Sequence, residues 1–241
     1  MPYLLILFIV GLFSYLIGSI PFALAFNKLV FKQDPRDFGS KNIGALNTLR
    51  IATQKKGKAI GALSFLVVFF LDAGKGALTI ILTQKLLAAS AISFCPLCVN
   101  ISFATLSLAA VAIACFFSIL GHNYSAYIKF QGGRGAATLF GIILYLSPIL
   151  AWYWFVAVIL FMIIGEILAG HKLNKKLIPN AISNQIIGRL LGEIAGVVLI
   201  YFLNPSIFLI VFLPLLLVLI AHKDRLKEQI KNIKNKTYLT N

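Results

Sequence analysis

The stretch FGSKNIGALNTLR, residues 38–50, gathers small residues, amide donors and an arginine where an anion can sit. Gly39 and Gly44 let backbone N–H groups turn toward a common point, as a nest or a helix N-terminus does for phosphate. Ser40 and Asn42 add side-chain donors, Lys41 adds charge, and Arg50 offers a planar fork to an oxyanion. Ile43 and Asn47 complete the run that would close around the ligand. A second stretch, FQGGRGAAT at 130–138, sets Gly132, Gly133 and Gly135 around Arg134 immediately before an apolar run. Amides, guanidinium and helix dipole can all address one anion there. Either loop alone reads equally well as a turn with a topogenic arginine and helix-packing glycines. Together they point to a site for two phosphates, or for one substrate with two anionic groups. A third stretch, AHKDRLKEQIKNI at 221–233, opens with His222, which can hydrogen-bond an anion, and continues as a basic amphipathic tail.

Hydrolytic machinery is missing from this set. Many lipid acyltransferases orient a histidine base with an aspartate five positions on, but His122, His171 and His222 have Tyr127, Lys176 and Lys227 there. The chemistry must therefore proceed with little general acid–base help. No metal or cofactor is expected: Cys95 and Cys98, in CPLC, lack further Cys or His nearby, so they read as small apolar residues or a disulfide near a membrane interface. Cys115 reads as a packing residue. Asp72 and Lys75, in DAGKG, fall between apolar runs, where charge is costly; they are expected to be functional or to pair at i,i+3.

The elements that must carry these loops are mostly apolar. Of the 241 residues, 60% are hydrophobic and 12% charged, against roughly 25% charged in a soluble domain. Apolar runs recur at 3–26, 59–71, 73–92, 101–120, 136–165, 186–203 and 206–221, and several reach the ~20 residues needed to span a bilayer. The chain is thus expected to be an all-α integral membrane protein, one polytopic domain over 1–241 with five to seven transmembrane helices, some short. Ser147-Pro148 should split the run 136–165, and Asp72–Gly76 raises the same choice between two short helices and one kinked helix. The net charge of +15 lies mainly in 27–58 and 222–241, which places those segments, and the C-terminus, inside and the N-terminus outside. Basic groups beside spans also attract anionic lipid, and no nucleic-acid motif accompanies them. Ala23-Leu24-Ala25 resembles a signal-peptide cleavage site, but no Lys or Arg precedes Lys28, so the first segment is expected to remain as a span.

In order, GSIP (18–21), DPRDFGSKNIGALNTLR (34–50), LDAGKG (71–76), GHNYS (121–125), FQGGRGAAT (130–138) and HKDRLKEQI (222–230) resemble the motifs of the acyl-phosphate:glycerol-3-phosphate acyltransferases, the PlsY type of bacterial membrane enzyme. That family reads GS-I-P, D-x-R-x-x-GSGN-x-GATN-x-x-R, LD-x-x-KG, GH-x-x-P, F-x-GGKG-x-AT and HRENI-x-RLL-x-GTE. The resemblance covers most of residues 3–233. It implies a multi-pass protein of the bacterial cytoplasmic (inner) membrane, with its active site facing the cytoplasm. The implied reaction joins a long-chain acyl phosphate to sn-glycerol 3-phosphate, giving lysophosphatidate and phosphate, the first acylation of phospholipid synthesis. The backbone of 39–47 would hold the phosphoryl group of the donor. Ser40, Arg50, Arg134 and His222 would form the catalytic set and hold glycerol 3-phosphate, with Gly132, Gly133 and Gly135 lining the site. The acyl chain would lie among the helices.

Several positions depart from the family. Lys41 replaces a glycine, Leu46 a threonine, Arg134 a lysine, Ser125 a proline and Arg225 an asparagine; the GTE ending is absent, and 171–188 looks longer. These departures leave two other readings open: a paralogue that binds a phosphorylated lipid precursor without turning it over, and a transporter of a phosphorylated metabolite. A transporter would carry polar residues at mid-membrane depth in several helices, whereas this chain concentrates them at one face.

Overall fold

The computed structural model describes residues 3–91, 103–169 and 185–234. Pro21 lacks a backbone N–H and separates α1 (Tyr3–Ser19) from α2 (Phe22–Phe31). A loop with a short 3₁₀ turn leads to the polar helix α3 (Ala45–Lys56), and Gly57 reverses the chain into α4 (Lys58–Ala91). α5 (Phe103–Asn123) is followed by the glycine loop and the short α6 (Ala136–Leu146). Next come α7 (Pro148–Leu168), α8 (Ile186–Leu203), α9 (Pro205–Ala221) and the amphipathic α10 (Lys223–Lys234). Among the described residues, five segments are long and apolar enough to cross a membrane, and α9 with α10, bent by 52°, makes up to six. The architecture is the all-helical membrane bundle expected, with no strand among the described residues.

The broken run 136–165 divides as anticipated. Ser147 accepts a hydrogen bond from the Leu150 amide at 3.5 Å, and Pro148 occupies the first turn of α7, where its missing N–H costs nothing. At Asp72–Gly76 the chain takes the single-helix alternative, because α4 runs through it. Asp72 and Lys75, both buried, pair at 3.0 Å, and the Lys75 ammonium donates to the Ile20 carbonyl at 3.1 Å. The charges are satisfied without unwinding the helix, and Gly76 admits the backbone of α6, since a Cβ there would lie 2.5 Å from the Thr138 carbonyl oxygen.

The main core joins α5, α6, α7, α8 and α9 around Ile119, Leu139, Ile142, Trp154, Ile200 and Val211. α1 packs along α5, where side chains at Gly18 or Gly121 would run into the facing backbone. In lipid, such close approach replaces the hydrophobic effect as the source of helix association. α7 and α8 form the other extensive pair, and α3 lies against α4. Cys115 is fully buried, in keeping with a packing role. Cys95, Cys98, His171 and most of 171–188 lie outside the described residues.

Candidate active site

The loop before α3 is fixed by its own polar residues. Asp34 grips Arg36 bidentately at 3.0 and 2.7 Å, accepts from the Arg36 amide at 3.0 Å, and lies 3.3 Å from the Lys28 ammonium. The hydrogen bond from Arg36 holds the Asp34 carboxyl far below the usual carboxylate range. Asn47 closes the loop from inside. It is fully buried; its amide nitrogen donates to the carbonyls of Pro35, Phe38 and Asn42, and its side-chain oxygen accepts from the Ser40 amide at 3.1 Å. Gly39 has φ +56°, and a Cβ there would press within 2.6 Å of Asn47 Oδ1. Lys41, in place of the family glycine, also takes the left-handed conformation, φ +55°. The result presents the N-terminus of α3, which carries the positive end of the helix dipole, toward the bundle interior.

The second loop is anchored to the end of α5. The Gly132 and Gly133 amides donate to the Asn123 and His122 carbonyls at 3.1 and 2.9 Å. A side chain at either glycine would collide with His122 or Asn123, and at Gly133 with the Ile43 carbonyl of the first loop. The two loops therefore touch. His122 Nδ1 lies 3.7 Å from Asp72 Oδ1, so the buried Asp72–Lys75 pair sits directly beneath them. Ser125, at the family's proline position, donates to the Ser19 carbonyl at 2.5 Å and ties this loop to the GSIP turn. Gly135, at φ +82°, starts α6 toward the same interior space as α3.

That space is a cavity of about 550 Å³ with two kinds of wall. One wall is formed by Ser40, Asn42, Arg50, Arg134, Arg189, Arg225 and His222 with both helix N-termini. Burial lowers the Arg50 and Arg134 pKa values, helped by neighbouring guanidiniums; Arg134 falls to about 10 and so stays charged at neutral pH. His222 is buried, and its Nδ1 lies 2.8 Å from the Val218 carbonyl, which must accept; Nε2 is then the ring nitrogen left for a ligand. The apolar wall is formed by Phe65, Phe69 and Phe70 of α4, Phe140 and Leu144 of α6, and Trp152, Trp154, Phe155 and Val158 of α7, with Phe65 and Phe69 packing beside Ile43 and Ala45 at the start of α3. Phe70, Leu144 and Trp152 are also exposed on the apolar surface, so this wall reaches the face expected to meet lipid. An anion among the arginines and an alkyl chain along the aromatic wall fit this lining.

Of the residues named from sequence, Ser40, Asn42, Gly44, Arg50, Arg134, Gly135 and His222 line this cavity together. Ile43, Gly132 and Gly133 line a much smaller recess beside Asp72, Lys75 and His122. Gly39, Lys41 and Asn47 line neither, and Asn47 spends its amide on the loop itself. Sequence reasoning passed over Arg189 and Glu193, in GRLLGE, although two charges four residues apart in an expected span are a signal of function. It also gave no place to Gln229, whose side-chain oxygen accepts from the Ile186 and Ile187 amides at 2.8 and 2.9 Å and caps α8 from α10.

A model of the glycerol-3-phosphate acyltransferase family matches residues 8–232. The glycerol-3-phosphate acyltransferase of Bordetella petrii is 41% identical over 138 residues, covering 57% of this chain and 54% of that protein. Its counterpart in Staphylococcus aureus (strain Newman) is 41% identical over 141 residues, covering 58% and 60%. The match thus spans little more than half the length of these curated relatives. Two crystal structures of PlsY, an integral membrane glycerol 3-phosphate acyltransferase, share the fold across 94% of this chain and 92% of theirs. The glycerol 3-phosphate form has a TM-score of 0.65 at 22% identity, and the lysophosphatidic acid form 0.63 at 21%.

Proposed function

Because the chain belongs to the glycerol-3-phosphate acyltransferase family, we propose that it transfers an acyl group from a long-chain acyl phosphate to glycerol 3-phosphate. The products would be 1-acylglycerol 3-phosphate and phosphate. The observation that carries this reading is one cavity lined both by four arginines with His222 and by an aromatic wall. An acyl phosphate is a mixed anhydride with a good leaving group, so positioning and charge stabilisation suffice for transfer. The glycerol hydroxyl oxygen attacks the acyl carbonyl, the bond from carbonyl carbon to phosphoryl oxygen breaks, and the hydroxyl proton ends on the departing phosphate.

In this reading the backbone leading into α3, with Asn42 and Gly44, receives the donor phosphoryl group. Ser40, Arg50, Arg134 and His222 hold glycerol 3-phosphate, and the acyl chain lies between α4, α6 and α7. The protein would sit in the bacterial inner membrane with this site toward the cytoplasm, where both polar substrates are made; the basic segments 27–58 and 222–241 support that orientation. Identification by mass spectrometry of the lipid formed from glycerol 3-phosphate tests the proposal. Palmitoyl phosphate should yield lysophosphatidate and acyl-CoA should not, and Arg50→Ala should abolish the product. A lipid product from acyl-CoA alone would overturn the choice of donor.

A further inference from the structure

We propose that Arg189 is a further phosphate-binding residue of the cavity, held in place by Glu193, which acts as a positioning residue one helical turn deeper. The inference rests on the reading that the cavity takes phosphorylated substrates. Three observations carry it. Ile186, Arg189 and Glu193 fall on one face of α8, and all three line the cavity. Arg189 lies close enough to Arg50, Arg134, Arg225 and His222 to act on each electrostatically, which puts it inside the cationic group. Glu193 is fully buried, with neither carboxylate oxygen in a hydrogen bond, and Arg189 is the charge that acts on it.

The charge inventory points the same way. Four guanidiniums line the cavity against two carboxylates, Asp72 and Glu193, and Asp72 is already paired with Lys75. Desolvated like charges repel unless an anion compensates them. Gln229 already accepts from the Ile186 and Ile187 amides, and Arg189 is the cationic side chain that α8 brings to the cavity. The guanidinium of Arg189 is therefore the group by which α8 would reach a phosphate dianion. That dianion is the head group either of glycerol 3-phosphate or of the acyl phosphate.

The test measures binding of inorganic phosphate and of glycerol 3-phosphate by calorimetry in detergent micelles, together with KM for each substrate at saturating concentrations of the other. Arg189→Met is expected to weaken phosphate binding and raise one KM by about ten- to a hundredfold, the range for a lost charge-assisted hydrogen bond. Whichever KM rises identifies the phosphate that Arg189 holds, and Arg189→Lys should recover part of the loss. The double variant Arg189→Met with Glu193→Gln removes both charges, so no buried carboxylate is left unpaired. If Arg189 served only as a partner for Glu193, the double variant would bind phosphate like the wild type, and that result would overturn the proposal. Phosphate affinity lost in both variants supports it even if the wild type transfers no acyl group. Acyl transfer with both KM values unchanged in the double variant overturns this inference alone. A wild type that binds no phosphate overturns both readings.

Discussion

Lys41 holds a left-handed backbone conformation, φ +55°, that costs a residue with a side chain about 1–2 kcal/mol. Lys41→Gly removes that strain but adds freedom to the unfolded chain. A net stabilisation below about 1 kcal/mol is therefore expected, read as a small rise in Tm in micelles; a fall would assign the lysine side chain a stabilising contact. Asp34 titrates below its unfolded value near 3.9, so the unfolded chain binds the extra proton first. Its contribution to stability is complete at neutral pH and disappears as pH falls below about 4. The wild-type Tm should drop more steeply than that of Asp34→Asn between pH 5 and pH 3. At this scale the sequence was partly legible. The types and spacing of Ser40, Arg50, Arg134 and His222 located cavity-lining residues on separate helices and loops. Nothing in the string distinguishes an asparagine aimed at a ligand from Asn47, whose donors all go to loop carbonyls.

Of the helix ends set by proline or glycine, the break at Ser147-Pro148 was readable, whereas Pro21 divides the run 3–26 that reads as one apolar segment, and Gly57 carried no signal of its own. The continuity of α4 was not, because it depends on Lys75 reaching both Asp72 and the Ile20 carbonyl, 55 residues away in sequence. The capping of α8 from α10 was equally hidden, since Gln229 lies more than 40 residues from the amides it satisfies. His222 sits at the bend between α9 and α10, and Arg225 lies in the first turn of α10, so this junction supplies site residues as well as the cap. Gln229→Ala leaves the buried Ile186 and Ile187 amides without this acceptor, at a cost of about 1–3 kcal/mol. A lower Tm and weaker glycerol 3-phosphate binding are expected together, because both Arg189 and Arg225 depend on that junction. A fall in Tm with unchanged binding would show that α10 docks independently of the site.

Across the whole molecule, mean hydropathy of +0.93 and net charge of +15 describe a membrane protein with a basic end, and the bundle gives that end a use. The buried Thr79 and Thr83 of α4 bond to backbone carbonyls of their own helix, whereas four of the five arginines line one cavity. That distribution suits a reaction at the membrane surface on a substrate whose tail stays in lipid. Composition alone revealed the membrane class, but the meeting of arginines and aromatic side chains around one cavity depends on how α4, α6 and α7 come together. In the proposed reaction, one cavity brings a phosphorylated acceptor to an activated acyl chain. Phosphate release by the purified protein in lipid, with palmitoyl phosphate and glycerol 3-phosphate supplied together and singly, tests it most directly. Release that requires both substrates and disappears in Arg50→Ala is the expected result. Release from palmitoyl phosphate alone at the same rate, or none from folded protein that still binds glycerol 3-phosphate, would contradict it.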